Sequence, residues 1–152
     1  MNAIPTSERI NEPTFVAGIR VLVIDDEKNI RTTLAMCLES VGCQVRVAAT
    51  PEAAIRELEQ GHFDLAFLDL RLGNSSGQDL LPRLLALSSD LAVVTITAYA
   101  TVDTAVEALK RGAIDHLPKP FTPAQIRHLA AQVTARRAVS RRVGELEALV
   151  SK

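Results

Sequence analysis

Apolar residues in this chain gather into five short, dense runs, and between the runs they recur every three or four positions. The runs lie at 20–24 (RVLVI), 44–48 (QVRVA), 63–70 (FDLAFLDL), 91–97 (LAVVTIT) and 114–117 (IDHL). The first and fourth are rich in β-branched residues and the third in Leu and Phe, which predicts strands buried on both faces. QVRVA alternates and predicts a strand with one exposed side. Residues 29–41 place Ile30, Leu34, Cys37, Leu38 and Val41 at helical spacing, with Gly42 as the stop. Thr50 and Pro51 supply an N-cap and a first helical residue for a helix that ends at Gly61. Residues 73–77 predict a loop, 78–87 a helix, and 101–111 a helix closed by Gly112. Thr122 and Pro123 open a last helix that runs toward the C-terminus. Strands alternating with helices predict an α/β domain: a doubly wound five-stranded parallel sheet covered on both faces. Right-handed crossovers bring every strand's C-terminal end to one edge, where ligands of such sheets bind.

Composition narrows the function classes. The 152 residues suit one domain with tails. A net charge of −1 gives no general pull toward nucleic acid or an anionic membrane, so any chemistry must come from local clusters. Cys37 and Cys43 form neither a disulfide framework nor a metal spacing, which suits a reducing compartment. No stretch is long enough to span a membrane, and the N-terminus lacks the order of a signal peptide. The expected layout is a disordered leader over 1–18, a domain over 19–135 and a helical linker or coiled-coil start over 136–152, in a cytoplasmic protein.

Five polar residues follow or end the predicted strands: Asp25 and Asp26 after the first, Asp69 in the third, Thr97 at the end of the fourth and Lys119 after the fifth. Singly, each has a plain structural reading, since Asp favours caps and turns, and a loop lysine is usually solvated. Together, on one edge, they form a constellation more specific than its members. Three close carboxylates repel unless a cation joins them. Carboxylate oxygens suit a hard ion such as Mg²⁺, which keeps waters and completes its shell with phosphate oxygens. Lys119 offers a point charge for a phosphate, Thr97 a hydroxyl donor, and one aspartate a nucleophile that would form an acyl phosphate. No GxGxxG follows the first run, which excludes a dinucleotide site.

The segments VLVIDDE at 21–27, DLAFLDLRLGNSSG at 64–77, TITAYA at 95–100 and GAIDHLPKPF at 112–121 resemble the receiver domain family of response regulators over about residues 19–135. The resemblance implies a CheY-like, flavodoxin-like strand order of 2-1-3-4-5. It implies that Asp69 accepts a phosphoryl group from a sensor histidine kinase. Asp25, Asp26, Asp69 and the backbone carbonyl of Arg71 would hold Mg²⁺ (or Mn²⁺), Thr97 would be the switch hydroxyl, and Lys119 would pair with the phosphoryl group. Tyr99 and His116 would repack, reshaping the face made by the fourth helix, fifth strand and fifth helix. The family often has a cis bond where Lys119 meets Pro120. Two positions depart from the pattern: His116 stands where an aromatic residue, often Tyr, is usual, and Gly73 where Pro is common, which predicts a more mobile loop. TAYATVDTAVEALKRGAIDHLPKPF looks most like receivers of the NtrC family of sigma-54-dependent regulators, and DLRLG like their alginate-regulator branch. Output would then be transcriptional, through AAA+ and DNA-binding domains that this chain does not contain. A receiver modifies only itself and is not a conventional enzyme.

In the last helix, Ile126, Leu129 and Val133 should pack on the sheet. Val139, Val143, Leu146 and Val150 then step by four, three and four, a heptad seam of two-stranded type. Arg136, Arg137, Arg141 and Arg142 form a basic cluster that reads as a solvated linker face. A homodimer is expected through this helix or through the face made by the fourth helix, fifth strand and fifth helix. Two alternatives stand beside the receiver: a phosphorylation-independent interaction module, and a Mg²⁺-dependent aspartyl-phosphate phosphohydrolase. The second usually wants an aspartate two residues after the nucleophile, where this chain has Arg71.

Overall fold

The computed structural model describes residues 18–150, so the leader expected over 1–18 lies outside the described residues except for Gly18, as do residues 151–152 of the expected linker. Five strands form one parallel sheet: β1 (Arg20–Ile24), β2 (Gln44–Ala48), β3 (Leu65–Asp69), β4 (Ala92–Thr97) and β5 (Asp115–Pro118). Their order is β2-β1-β3-β4-β5, as the resemblance implied. The helices are α1 (Lys28–Glu39), α2 (Pro51–Gln60), α3 (Gly77–Leu87), α4 (Val102–Lys110) and α5 (Pro123–Val150).

The alternation of strand side chains divides the core into two layers. Val21, Val23, Phe67, Val94 and Ile96 pack beneath Leu34 and Leu38 of α1 and Ile126, Leu129 and Val133 of α5. Leu22, Ile24, Leu68 and Val93 pack on the other face against Ala54 of α2, Leu80, Leu81 and Leu84 of α3 and Ala108 of α4. Local chemistry sets the helix starts. Thr50 accepts the Ala53 N–H at 3.1 Å, and Thr101 and Thr104 exchange a reciprocal capping box. Cys37 and Cys43 are free thiols, and burial with the neighbouring Cys37 pushes Cys43 up to about 11.

One expectation needs correction. Residues 73–77 were read as a loop, but Arg71–Leu72 and Ser75–Ser76 pair as a short antiparallel hairpin turning through Gly73 at φ +59°. That backbone conformation suits glycine and would strain proline, whose φ is fixed near −65°. Gly77 closes the segment because a Cβ there would strike the carbonyl oxygen of Asp69.

Candidate functional site

Strand order reverses at β1 and β3, and the ends of these two strands carry the acids. Asp25 continues the β1 ladder, its N–H donating to the Ala48 carbonyl at 3.1 Å. Its own carbonyl accepts from Arg31 Nη1 at 2.9 Å, and its Oδ1 accepts the Glu27 N–H at 2.8 Å. Asp25 is fully buried and Asp69 is 3% exposed, whereas Asp26 is exposed. Asp69 Oδ1 accepts the Arg71 N–H at 3.0 Å, and Asp26 Oδ2 accepts the Gly73 N–H at 3.0 Å. The hairpin's backbone thus orients two of the three aspartates.

Lys119 reaches this group from the far side of the sheet. Its N–H donates to the Thr97 carbonyl at 2.8 Å, and the Lys119–Pro120 bond is cis. Its Nζ lies 2.9 Å from Asp25 Oδ2, 3.2 Å from Asp69 Oδ2 and 3.3 Å from Glu27 Oε1. Burial alone would lower the lysine, but Asp25 and Asp69 outweigh it and hold the ammonium above its ordinary range. Burial raises the Asp25 carboxyl; the Lys119 contact and the Glu27 N–H oppose this, Asp69 adds to it, and the net direction is upward.

Oxygens of Asp25, Asp26, Glu27 and Asp69 lie within 4.8 Å of one another. Four carboxylates therefore face one ammonium. Asp25 Oδ2 is buried with an ionic contact to Lys119 but no directed hydrogen bond. An all-oxygen donor set with excess negative charge fits a hard divalent cation. The recess above the acids has a volume of about 220 Å³ and is lined by Asp26, Glu27, Asp69, Arg71, Gly73, Thr97, Ala98, Tyr99 and Lys119. Its size suits a phosphoryl group with a hydrated ion and leaves little room for a larger substrate.

The structure brings Asp25, Asp26, Asp69, Thr97, Lys119, Arg71 and Tyr99 to this edge. Thr97 Oγ1 accepts the Tyr99 N–H at 3.2 Å, and no hydrogen bond among the described residues joins it to Asp69. Arg71 stacks on the Tyr99 ring, 3.9 Å from its centroid, so the two form one wall of the recess. His116 sits apart, under α4. Its Nδ1 lies 2.6 Å from Thr95 Oγ1, its Nε2 is buried without a partner, and burial lowers its pKa against a small upward pull from Asp115. Sequence reasoning left out Glu27 and Thr95. The third acid of the DDE run and a threonine inside a buried strand were the available signals.

Comparison with known proteins gives three concordant results. A sequence model of the response regulator receiver domain matches residues 21–131. The alginate biosynthesis transcriptional regulatory protein AlgB of Pseudomonas aeruginosa is 41% identical over 128 residues, covering 84% of this chain and 28% of that protein. Two crystal structures share the fold. One is a response regulator from Burkholderia pseudomallei with a phosphorylated aspartic acid, calcium ion and citrate (TM-score 0.70, 35% identity, 81% of this chain and 75% of that one). The other is NtrX from Brucella abortus in complex with ADP (TM-score 0.79, 30% identity, 88% of this chain and 30% of that one). The chain spans less than a third of the length of the curated relatives it matches first.

Proposed function

Because the chain belongs to the response regulator receiver domain family, we propose that it is a phosphoryl-accepting switch of a two-component system, with Asp69 as the acceptor. The observation that carries this reading is the setting of Asp69 itself. It lies on the floor of a small recess, one oxygen fixed by the Arg71 N–H and the other 3.2 Å from Lys119. In the transfer, an Asp69 carboxylate oxygen attacks the phosphorus of a phosphohistidine on a sensor histidine kinase. The O–P bond forms, the P–N bond breaks, and the imidazole leaves and takes up a proton. Lys119 exchanges its contact with Asp69 for one with a phosphoryl oxygen. Bound by Asp25, Asp26, Asp69 and the Arg71 carbonyl, Mg²⁺ or Mn²⁺ would supply positive charge against the phosphoryl oxygens. The Burkholderia pseudomallei regulator, with its phosphorylated aspartic acid and calcium ion, is consistent with that chemistry.

Output follows from rearranged hydrogen bonds. Thr97 Oγ1 exchanges the Tyr99 N–H for the phosphoryl group, its hydroxyl now donating. Tyr99 and His116 border the path to α4 and β5, and their repacking changes the face made by α4, β5 and α5. Phosphorylation shifts a population between two arrangements of this face, which a second copy or an output domain reads. The similarity to AlgB, a transcriptional regulatory protein, supports transcription as the output; AAA+ and DNA-binding domains outside this chain would carry it, in the cytoplasm. The chain turns over no free substrate, so it is not a conventional enzyme. The small recess and Arg71 two residues after Asp69 weigh against a phosphohydrolase, and the complete set of acids and lysine weighs against a phosphorylation-independent module.

Incubation with a small acyl phosphate and Mg²⁺ should add one phosphoryl group to the parent chain by intact mass and none to Asp69→Asn. Equal labelling of both would overturn the assignment of Asp69, and labelling of neither would favour the phosphorylation-independent module.

A further inference from the structure

In α5, Ile126, Leu129 and Val133 are buried in the core layer. Arg136, Arg137 and Ser140 follow Val133 by three, four and seven positions, which puts all four on one helix face. That face meets the lower edge of the sheet, where the strands begin, and Arg137 is fixed there. Its Nη2 donates to the carbonyls of Asp64, at 3.1 Å, and Asp90. Its Nε lies 3.5 Å from Asp64 Oδ1, and its Nη1 lies 3.5 Å from Asp90 Oδ2. Beside this anchor is a cavity of about 480 Å³, larger than the recess of about 220 Å³ at Asp69. Small-molecule sites run from roughly 300 to 1,000 Å³. Leu85 of α3, Leu91 in the turn before β4, Ile114 before β5 and Val133 of α5 give the cavity an apolar wall. Ser89, Arg136 and Ser140 stand on its rim and are exposed. Their side chains enter no hydrogen bond or ion pair among the described residues. Asp90 is the acid on the lining, and Arg137 already pairs with it.

We propose that this cavity binds a small amphipathic organic acid, one carboxylate on an apolar body. The apolar wall takes the body, and the three idle donors on the rim take the head. Arg136 presents a guanidinium fork that matches a carboxylate with two parallel hydrogen bonds. Ser89 and Ser140 add one hydroxyl donor each. Charge selects the head further. Two arginines and one acid line the cavity, a surplus of one positive charge. A carboxylate balances that surplus, whereas the second charge of a phosphate monoester would go unanswered. The wall is set before any ligand arrives, because Arg137 holds α5 against the turns that precede β3 and β4. A site already formed loses little to ordering on binding. The bound acid bridges α5 to the turns before β4 and β5. It therefore acts on α5 from the edge of the sheet opposite Asp69.

The inference does not rest on Asp69 accepting phosphate, and its test needs none. The probes are 4-phenylbutyrate and its uncharged counterpart 4-phenylbutan-1-ol, titrated into the ¹⁵N-labelled 152-residue chain and followed by amide NMR. The acid should move the signals of Ser89, Leu91, Gly112 and Ile114 to saturation and leave those of Asp25 and Gly73 in place. The alcohol should bind the same site about tenfold more weakly, since it lacks the charge that Arg136 answers. Arg136→Gln should weaken the acid by about tenfold and leave the alcohol unchanged. Ser140→Trp, which fills the mouth, should abolish both. Both substitutions lie on exposed positions of α5, and an unchanged circular dichroism spectrum separates a lost site from a lost fold. Acid and alcohol binding equally well, or an Arg136→Gln chain that binds the acid as tightly as the parent, would overturn the assignment of the head. Shifts that follow the concentration of the chain in place of the probe would give the cavity to a second copy and overturn the proposal. A parent chain whose cavity signals do not move would sink it outright.

Discussion

The two edges of the sheet carry nearly the same parts and treat them in opposite ways. At the lower edge, Asp64 precedes β3, Asp90 precedes β4, and Arg137 reaches both from α5. At the upper edge, Asp25 follows β1, Asp69 ends β3, and Lys119 reaches both from beyond β5. Below, every group is answered. Asp64 Oδ2 accepts the Arg20 N–H at 2.9 Å, its Oδ1 faces His62 and Arg137, and the Arg137 guanidinium also binds two backbone carbonyls. Above, three of four clustered carboxylates share one ammonium, and a buried oxygen of Asp25 has no directed hydrogen bond. An unneutralised buried charge costs stability. A fold keeps such a cost where a ligand relieves it, which is why local frustration points to function. The planar, forked arginine serves the structural edge, and the compact lysine serves the edge where a partner must be exchanged.

Removing each cation should set the edges apart. Lys119→Met leaves Asp25 and Asp69 buried against each other, and it should lower the unfolding free energy at neutral pH by about 3 kcal/mol. Millimolar Mg²⁺ should recover part of that loss, because an ion bound only by the folded chain stabilises it. Arg137→Ala loses charge-assisted hydrogen bonds at a partly solvated site and should cost about 2 kcal/mol. Its response to Mg²⁺ should equal the parent's, and its phosphoryl acceptance should be intact. Chemical denaturation with and without Mg²⁺ reads both variants. If the ion rescues Lys119→Met no better than Arg137→Ala, the upper edge is no more frustrated than the lower, and the comparison fails.

The two edges also differed in how legible they were. The upper one could be read from the chain because strand ends are recognisable. Once RVLVI, FDLAFLDL and LAVVTIT are strands, parallel topology alone gathers Asp25, Asp26, Asp69 and Thr97. Lys119 joins them after the fifth run. Glu27 escaped because a third acid at a helix start looks like solvated surface, and only the fold turns it back toward Lys119. Arg137 escaped more completely. Its partners lie 73 and 47 residues earlier, and two of them are carbonyl oxygens, which every residue has. It was grouped with Arg136, Arg141 and Arg142 as a basic face. The hairpin of residues 71–76 was too short for any periodicity to register. Helix ends, by contrast, came out within a residue or two, since Thr50 and Thr101 carry their capping chemistry in the side chain.

His116 repeats the upper edge's frustration on a smaller scale, and its effect should be the smallest. The ring has one partnered nitrogen, on Thr95, and one buried nitrogen without a partner. Asp115 raises its pKa less than burial lowers it. With the folded value below 6.5, the unfolded chain takes up the proton first as pH falls. Stability therefore falls from about pH 6.5 downward, until the folded ring titrates too. His116→Phe keeps a ring in place, leaves Thr95 its weaker contact to the Asp115 carbonyl, and removes the titration. Melting temperatures between pH 7.5 and 5 should decline less steeply for the variant. Asp25, whose raised carboxyl acts with the opposite sign, is present in both proteins and cancels from the difference. Coincident slopes would mean that the ring leaves its pocket without cost. In that case the inward position under α4 would owe nothing to the imidazole being neutral.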